Sequence, residues 1–94
     1  MNNIGIPDKL LVPWLKGKKY IAPADEAEAC AIAGGIFLAT RKRATVFCSA
    51  DGFCNCLNFL TSWIIPEKIP MNFVISYSSK SWHSIPLLIM PETI

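Results

Sequence analysis

Two adjacent carboxylates, Asp25 and Glu26, stand where a short apolar segment, Tyr20-Ile21-Ala22, gives way to a run dominated by small residues, Ala27 to Gly35. Acids at the start of a helix meet unpaired backbone N–H groups and the positive end of the macrodipole. On the residues alone, the commoner reading is structural: Asp25 caps the helix and Glu26 supports it. The helix body asks for more than a cap. Gly34 and Gly35 each cost about 1 kcal/mol relative to alanine in a helix interior. Their presence beside Ala29, Ala31 and Ala33 predicts that something approaches this backbone closely.

Cys30, Cys48, Cys54 and Cys56 are the other residues with chemical potential, together with His83, the single histidine. Disulfides are disfavoured in a cytosolic chain. A zinc site is disfavoured by geometry, since in a helix over 51–63 the side chains of Cys54 and Cys56 point about 200° apart. His83 has no second ligand near it in sequence. The four thiols are therefore expected to be small buried hydrophobes.

The elements that position these residues read as alternating strands and helices. Pro7 suits the first turn of a helix over 6–15, with Leu10, Leu11, Trp14 and Leu15 as its buried stripe and Gly17 ending it. Pro13, inside that pattern, should kink or shorten it. A short strand is expected over 19–23 and the small-residue helix over 25–40. Ala44 to Ser49 is the near-continuous apolar run of a strand covered on both faces. A helix over 53–63 ends before Pro66, and a third strand over 71–77 leads into a polar loop, Ser78 to Ser84. Ile85 to Met90 is apolar. Crossovers of helical length imply an α/β fold with a mostly parallel sheet. Ligands in such sheets bind beyond the carboxyl ends of the strands. Those ends are Pro23 to Glu26, Ser49 to Gly52 and Tyr77 to Ser79, so Glu26 falls on the binding edge by topology.

Composition narrows the function classes. At 94 residues, the chain forms one small domain that buries roughly 60–65% of its unfolded surface. Yet 52% of it is hydrophobic and its mean hydropathy is +0.37, which implies either dense packing or, the favoured reading, apolar surface covered by a partner. The longest apolar run, Ala29 to Ala39, is 11 residues, against the roughly 20 a membrane span needs. No signal-peptide pattern opens the sequence, and a cytoplasmic location is expected. Net charge is +2. Lys16-Gly17-Lys18-Lys19 and Arg41-Lys42-Arg43 fall where helices end rather than on one aromatic-laced face, so nucleic acid is not an expected partner.

Three stretches carry a resemblance. Asp25 to Gly35 resembles the acidic-residue helix of the pyrimidine-binding domain of thiamine diphosphate enzymes, above all phosphonopyruvate decarboxylases and sulfopyruvate decarboxylase alpha subunits. Gly5-Ile6-Pro7-Asp8-Lys9-Leu10-Leu11 resembles the opening Gly-Val-Pro-Asp-Ser segment of that family. Asp51-Gly52-Phe53-Cys54-Asn55-Cys56-Leu57-Asn58-Phe59-Leu60-Thr61-Ser62 resembles its Ser-Gly-Leu-Gly-Asn…Asn-Pro-Leu-Thr-Ser turn and helix. Three segments in order and spacing, spanning residues 5 to 77, make the functional position of Glu26 the better reading.

The resemblance implies a three-layer α/β/α fold, here a single and incomplete pyrimidine-binding domain over 1–94. It implies that Glu26 activates the cofactor, its carboxyl group bonding the far ring nitrogen of the aminopyrimidine while shielded from water. Asp51, Gly52, Phe53 and Asn55 would line the adjacent edge. Asp25 and Glu28, the latter about 200° round the helix from Glu26, receive no proton-transfer role. Thiamine diphosphate is the implied cofactor, with its diphosphate and Mg2+ held by a partner domain or subunit carrying a Gly-Asp-Gly…Asn motif. The implied substrate is a 2-keto acid. Departures are Cys54 at a glycine-like position, the unfamiliar Ser78 to His83 segment, and an expected lack of the family's leading helix and strand. These keep open a second class, a non-catalytic interaction subunit or remnant that retains the fold. Either way the chain alone is expected to associate rather than remain a monomer.

Overall fold

The structure, a computed structural model, describes residues 2–7, 9–77 and 81–87, the last stretch by its backbone. It is a mixed α/β domain built on one sheet of four strands: β1 (Asn3–Gly5), β2 (Thr45–Ser49), β3 (Met71–Tyr77) and β4 (Ser81–Leu87), neighbouring in that order. The first three run parallel and β4 returns antiparallel to β3. Residues 44–48 are buried throughout, because successive side chains of a central strand enter opposite faces and both are covered. Val46, Cys48, Phe73 and Ile75 point into one apolar cluster, and Phe47 and Val74 into another.

The first cluster is closed by α2 (Glu26–Thr40), through Ala29, Cys30 and Ala33, and by the segment over 50–64. That segment contains α3 (Ala50–Cys54), α4 (Leu57–Phe59) and a π-helical turn, Leu60–Ile64. The second cluster is closed by a 3-10 turn, Lys9–Leu11, and by α1 (Val12–Leu15), which lay Leu11, Leu15 and Trp14 over Phe47 and Val74. The Trp14 and Phe47 rings lie 5.8 Å apart, and Tyr20 meets Phe47 edge-on at 5.2 Å.

Several elements differ from the sequence expectation. In place of a helix over 6–15, the chain opens with strand β1, followed by the 3-10 turn and a single helical turn. Pro7 lies in the connection, and Pro13 sits in the first turn of the shortened α1, where its missing N–H costs nothing. Three residues are too few for β1 to show a period-2 pattern, so only its pairing with β2 defines it. The strand expected over 19–23 is reduced to one parallel bridge beside β1. There the Gly5 N–H donates to Ile21 O at 3.0 Å and the Ile21 N–H to Asn3 O at 2.9 Å.

The helix expected over 53–63 starts earlier and is broken. Ser49 Oγ accepts the Gly52 N–H at 3.1 Å, which starts α3 directly after β2, and a turn at Asn55-Cys56 interrupts it. Part of the expected polar loop, residues 81–84, belongs to β4. Pro86, opposite Asn72, marks β4 as an edge strand, where a missing N–H is tolerated. Asp8, Ser78 to Lys80 and the residues beyond Leu87 lie outside the described residues. Among the described residues, no helix is long and apolar enough to cross a membrane.

Candidate functional site

Helix α2 begins with its first acid spent on the backbone. Asp25 is extended (φ −156°, ψ 177°), and its Oδ1 accepts the Glu28 N–H at 2.9 Å. Glu28 reaches back, its Oε1 accepting the Ala24 N–H at 2.6 Å. The pair is a reciprocal cap of the capping-box type, closed one residue further upstream than usual. Glu28, given no role from the sequence, thus has one in holding the helix start. With both ends of the cap supplied, Glu26 is left to face elsewhere.

The Glu26 side chain is half-buried and turns toward the loop leaving β2. Its Oε1 accepts a hydrogen bond from Asn55 Nδ2 at 3.0 Å. The rest of the carboxyl group lies against Gly52. A Cβ on that glycine would stand 2.5 Å from Glu26 Oε2 and 2.8 Å from Cγ and Cδ. Gly52 is therefore a cradle that only a residue without a side chain provides. Since β1, β2 and β3 run parallel, the turn after β2 and the start of α2 lie at their carboxyl ends, the edge where open α/β sheets bind ligands.

Of the residues singled out in the sequence, Glu26, Gly52 and Asn55 are brought into direct contact. Asp51 shares the turn, with an exposed side chain in the first turn of α3. Phe53 faces inward, its ring edge-on to Phe73 at 5.1 Å. Cys54 is exposed, unlike the other three cysteines, so the expectation of four buried thiols holds for Cys30, Cys48 and Cys56 only.

Those three thiols converge beneath the Glu26 turn from three elements: Cys30 from α2, Cys48 from β2, and Cys56 from the turn after α3. Cys56 Sγ lies 3.5 Å from the Glu26 backbone O and 3.9 Å from Gly52 O. It is also in hydrogen-bond contact with the thiols of both Cys30 and Cys48. The S–H groups of Cys30 and Cys48 pull Cys56 below its ordinary thiol value, against burial and the carboxylates of Glu26 and Asp25. The same contact with Cys56, followed by burial, pushes Cys30 and Cys48 up. The sequence carries no spacing that announces this cluster, because its members are assembled by the crossover and not by one helix. Among the described residues, no group of three or more His, Cys, Asp or Glu side chains is arranged to hold a metal ion, the thiol cluster included.

Comparison with protein-family models, with curated proteins and with solved structures returned no match.

Proposed function

We propose that this chain is the pyrimidine-binding part of a thiamine diphosphate-dependent 2-keto acid decarboxylase of the 3-phosphonopyruvate or 3-sulfopyruvate class. The observation that carries the reading is the Glu26 carboxyl group, held by Asn55 and seated on Gly52 at the carboxyl edge of the parallel strands. The residues fit the pyrimidine end of such a cofactor. Glu26 supplies a carboxyl for a ring nitrogen, Asn55 fixes its rotamer, and Gly52 leaves room for both. When bound, such a cofactor would supply a nucleophilic carbon and an electron sink for decarboxylation. The chain's own part is to orient the ring and to hold a proton at Glu26. The diphosphate and Mg2+ are assigned to a partner subunit or domain, and the site is completed in a cytoplasmic oligomer. The same reading extends the fold to a three-layer α/β/α arrangement, supported by apolar clusters on both faces of the sheet.

The test is co-expression with a diphosphate-domain partner and assay of carbon dioxide release from the two keto acids. Release is expected from one of them and should be abolished in Glu26→Gln. Turnover unchanged in that variant removes Glu26 from the chemistry.

One observation favours a second reading, a non-catalytic interaction subunit. The Glu26–Asn55 hydrogen bond closes within the chain itself and clasps α2 to the turn after β2. Leu38, Leu57 and Ile65, each nearly half exposed, would then serve partner binding without turnover. Under this reading, Glu26→Gln leaves assembly with the partner intact and no keto acid is consumed by either form.

A further inference from the structure

Two buried thiols set against a third are more than core filling requires, since an apolar contact there could be made by alanine or valine. Cys30, Cys48 and Cys56 are each fully buried, and Cys56 touches both others. A bond from Cys56 to Cys30 would cross-link two distant elements of the fold, and one from Cys56 to Cys48 would close the short loop between the end of β2 and the turn after α3. Cys56 is placed to react first. It lies in the break between the five-residue α3 and the three-residue α4, and segments that short open locally at a fraction of the global unfolding cost. Cys54, two residues earlier and exposed, is an internal reference on the same turn.

We infer that Cys30, Cys48 and Cys56 form an oxidation site, in which Cys56 reacts with hydrogen peroxide and then closes a disulfide with Cys30 or Cys48. The Cys56 sulfur attacks one peroxide oxygen; an S–O bond forms, the O–O bond breaks, and water leaves once the thiol proton is transferred. The neighbouring thiol then attacks the sulfenic sulfur. An S–S bond forms, the S–O bond breaks, and a second water carries away the remaining proton. Two thiols lose two electrons and two protons, and the peroxide is reduced to two waters. The lowered proton affinity of Cys56 suits it to the attacking role, because the thiolate is the nucleophile. The Glu26 and Gly52 carbonyls beside its sulfur hold Cys56 where α2 meets the 52–56 turn.

The bridge would bear directly on the candidate site. Closed with Cys30, it ties α2 to the 52–56 turn, the two segments that carry Glu26 and its contacts Gly52 and Asn55. Closed with Cys48, it ties that turn to the end of β2. No cofactor is needed to detect it, because the readout is a covalent mass.

The experiment treats the full chain, under native conditions, with hydrogen peroxide, then blocks remaining thiols in denaturant and maps the peptides by mass spectrometry. A peptide pair joined through Cys56 to Cys30 or Cys48 is expected in most molecules, reversed by dithiothreitol. Cys54→Ala should keep that bridge and Cys56→Ser should lose it. The map of the unsubstituted protein decides the matter even where Cys56→Ser does not fold. Oxidation confined to Cys54, a bridge that contains Cys54, or a Cys56 bridge formed only after denaturation would each overturn the inference.

Discussion

The first turn of α2 and the glycine pair in its second half do different things. At the first turn the acidic side chains are all engaged, Asp25 and Glu28 in capping the helix and Glu26 in reaching across to Asn55 and Gly52. Two and a half turns later the helix carries adjacent glycines that share a composition and nothing else. A Cβ on Gly34 would stand 2.6 Å and 2.7 Å from Trp63 ring carbons and 3.1 Å from Ile64 Cδ1. On Gly35 it would meet nothing within 4 Å. The close approach that the paired glycines predict is therefore real for Gly34 and is supplied by this chain's own tryptophan. Gly35 looks outward beside Leu38, which is 48% exposed. Small residues on one helix thus mark three different demands: a seat for a ring, an open face, and further back a crossing over the sheet through Ala29 and Ala33.

Enlarging Gly34 should disturb the molecule most. A rigid indole cannot retreat as a flexible chain end does, so Gly34→Leu forces the π-helical turn away from α2. Overpacking of this kind costs about 1–3 kcal/mol. Thermal or denaturant unfolding should report a fall of that order. An unchanged midpoint would mean that Trp63 does not rest on the helix.

At the capped end, Asp25→Ala removes the acceptor of the Glu28 N–H and should cost about 1 kcal/mol. Glu28→Ala should cost less, since the Ala24 N–H it frees is exposed and returns to water. Equal losses from the two variants would show the reciprocal cap to be acting as one unit. Gly35→Ala runs the opposite way. With open space around the site and helix geometry on either side, it should stabilise by about 0.5–1 kcal/mol, chiefly by restricting the unfolded chain. A loss there would show that Gly35 faces a neighbour after all.

How much of this is legible in the sequence depends on whether a feature is local. The α2 boundary, the Asp25 cap and strand β3 are readable because capping chemistry and apolar runs are written in consecutive residues. Strand β1 is not, since Asn3-Ile4-Gly5 is too short for a pattern and exists only through pairing with residues 45–47. The break at Asn55-Cys56 escapes for the opposite reason. The helical pattern continues through 53–63, but the earlier start fixed by Ser49 shifts which residues must face the core. At the site, Glu26, Gly52 and Asn55 can be picked out from the sequence, although 26 or more residues separate Glu26 from its contacts. Phe53 is picked out with them and yet faces Phe73, because an aromatic ring after a strand finds more apolar contact inward than at the edge. The thiol cluster has no local signature at all.

The smallest change in stability should come with the most informative change in geometry, at Gly52. The atoms in the way of a new Cβ there are the far end of the Glu26 side chain, which can swing aside. Gly52→Ala should therefore leave the unfolding midpoint nearly where it was, within the roughly 0.5 kcal/mol common for substitutions away from packed features. It should nevertheless move the carboxyl group off its seat and break the hydrogen bond from Asn55 Nδ2. The resonances of the Asn55 side-chain amide report that bond directly, and in Gly52→Ala they should shift toward the solvated values seen in Glu26→Ala. Gly34→Leu, equally crowded but met by a ring, should leave those resonances alone while lowering stability. If the two glycine variants instead behave alike, with Gly52→Ala unfolding the protein, then Glu26 is pinned by its surroundings and not simply seated on a glycine. That outcome would favour the structural clasp over a carboxyl group poised to meet a ligand.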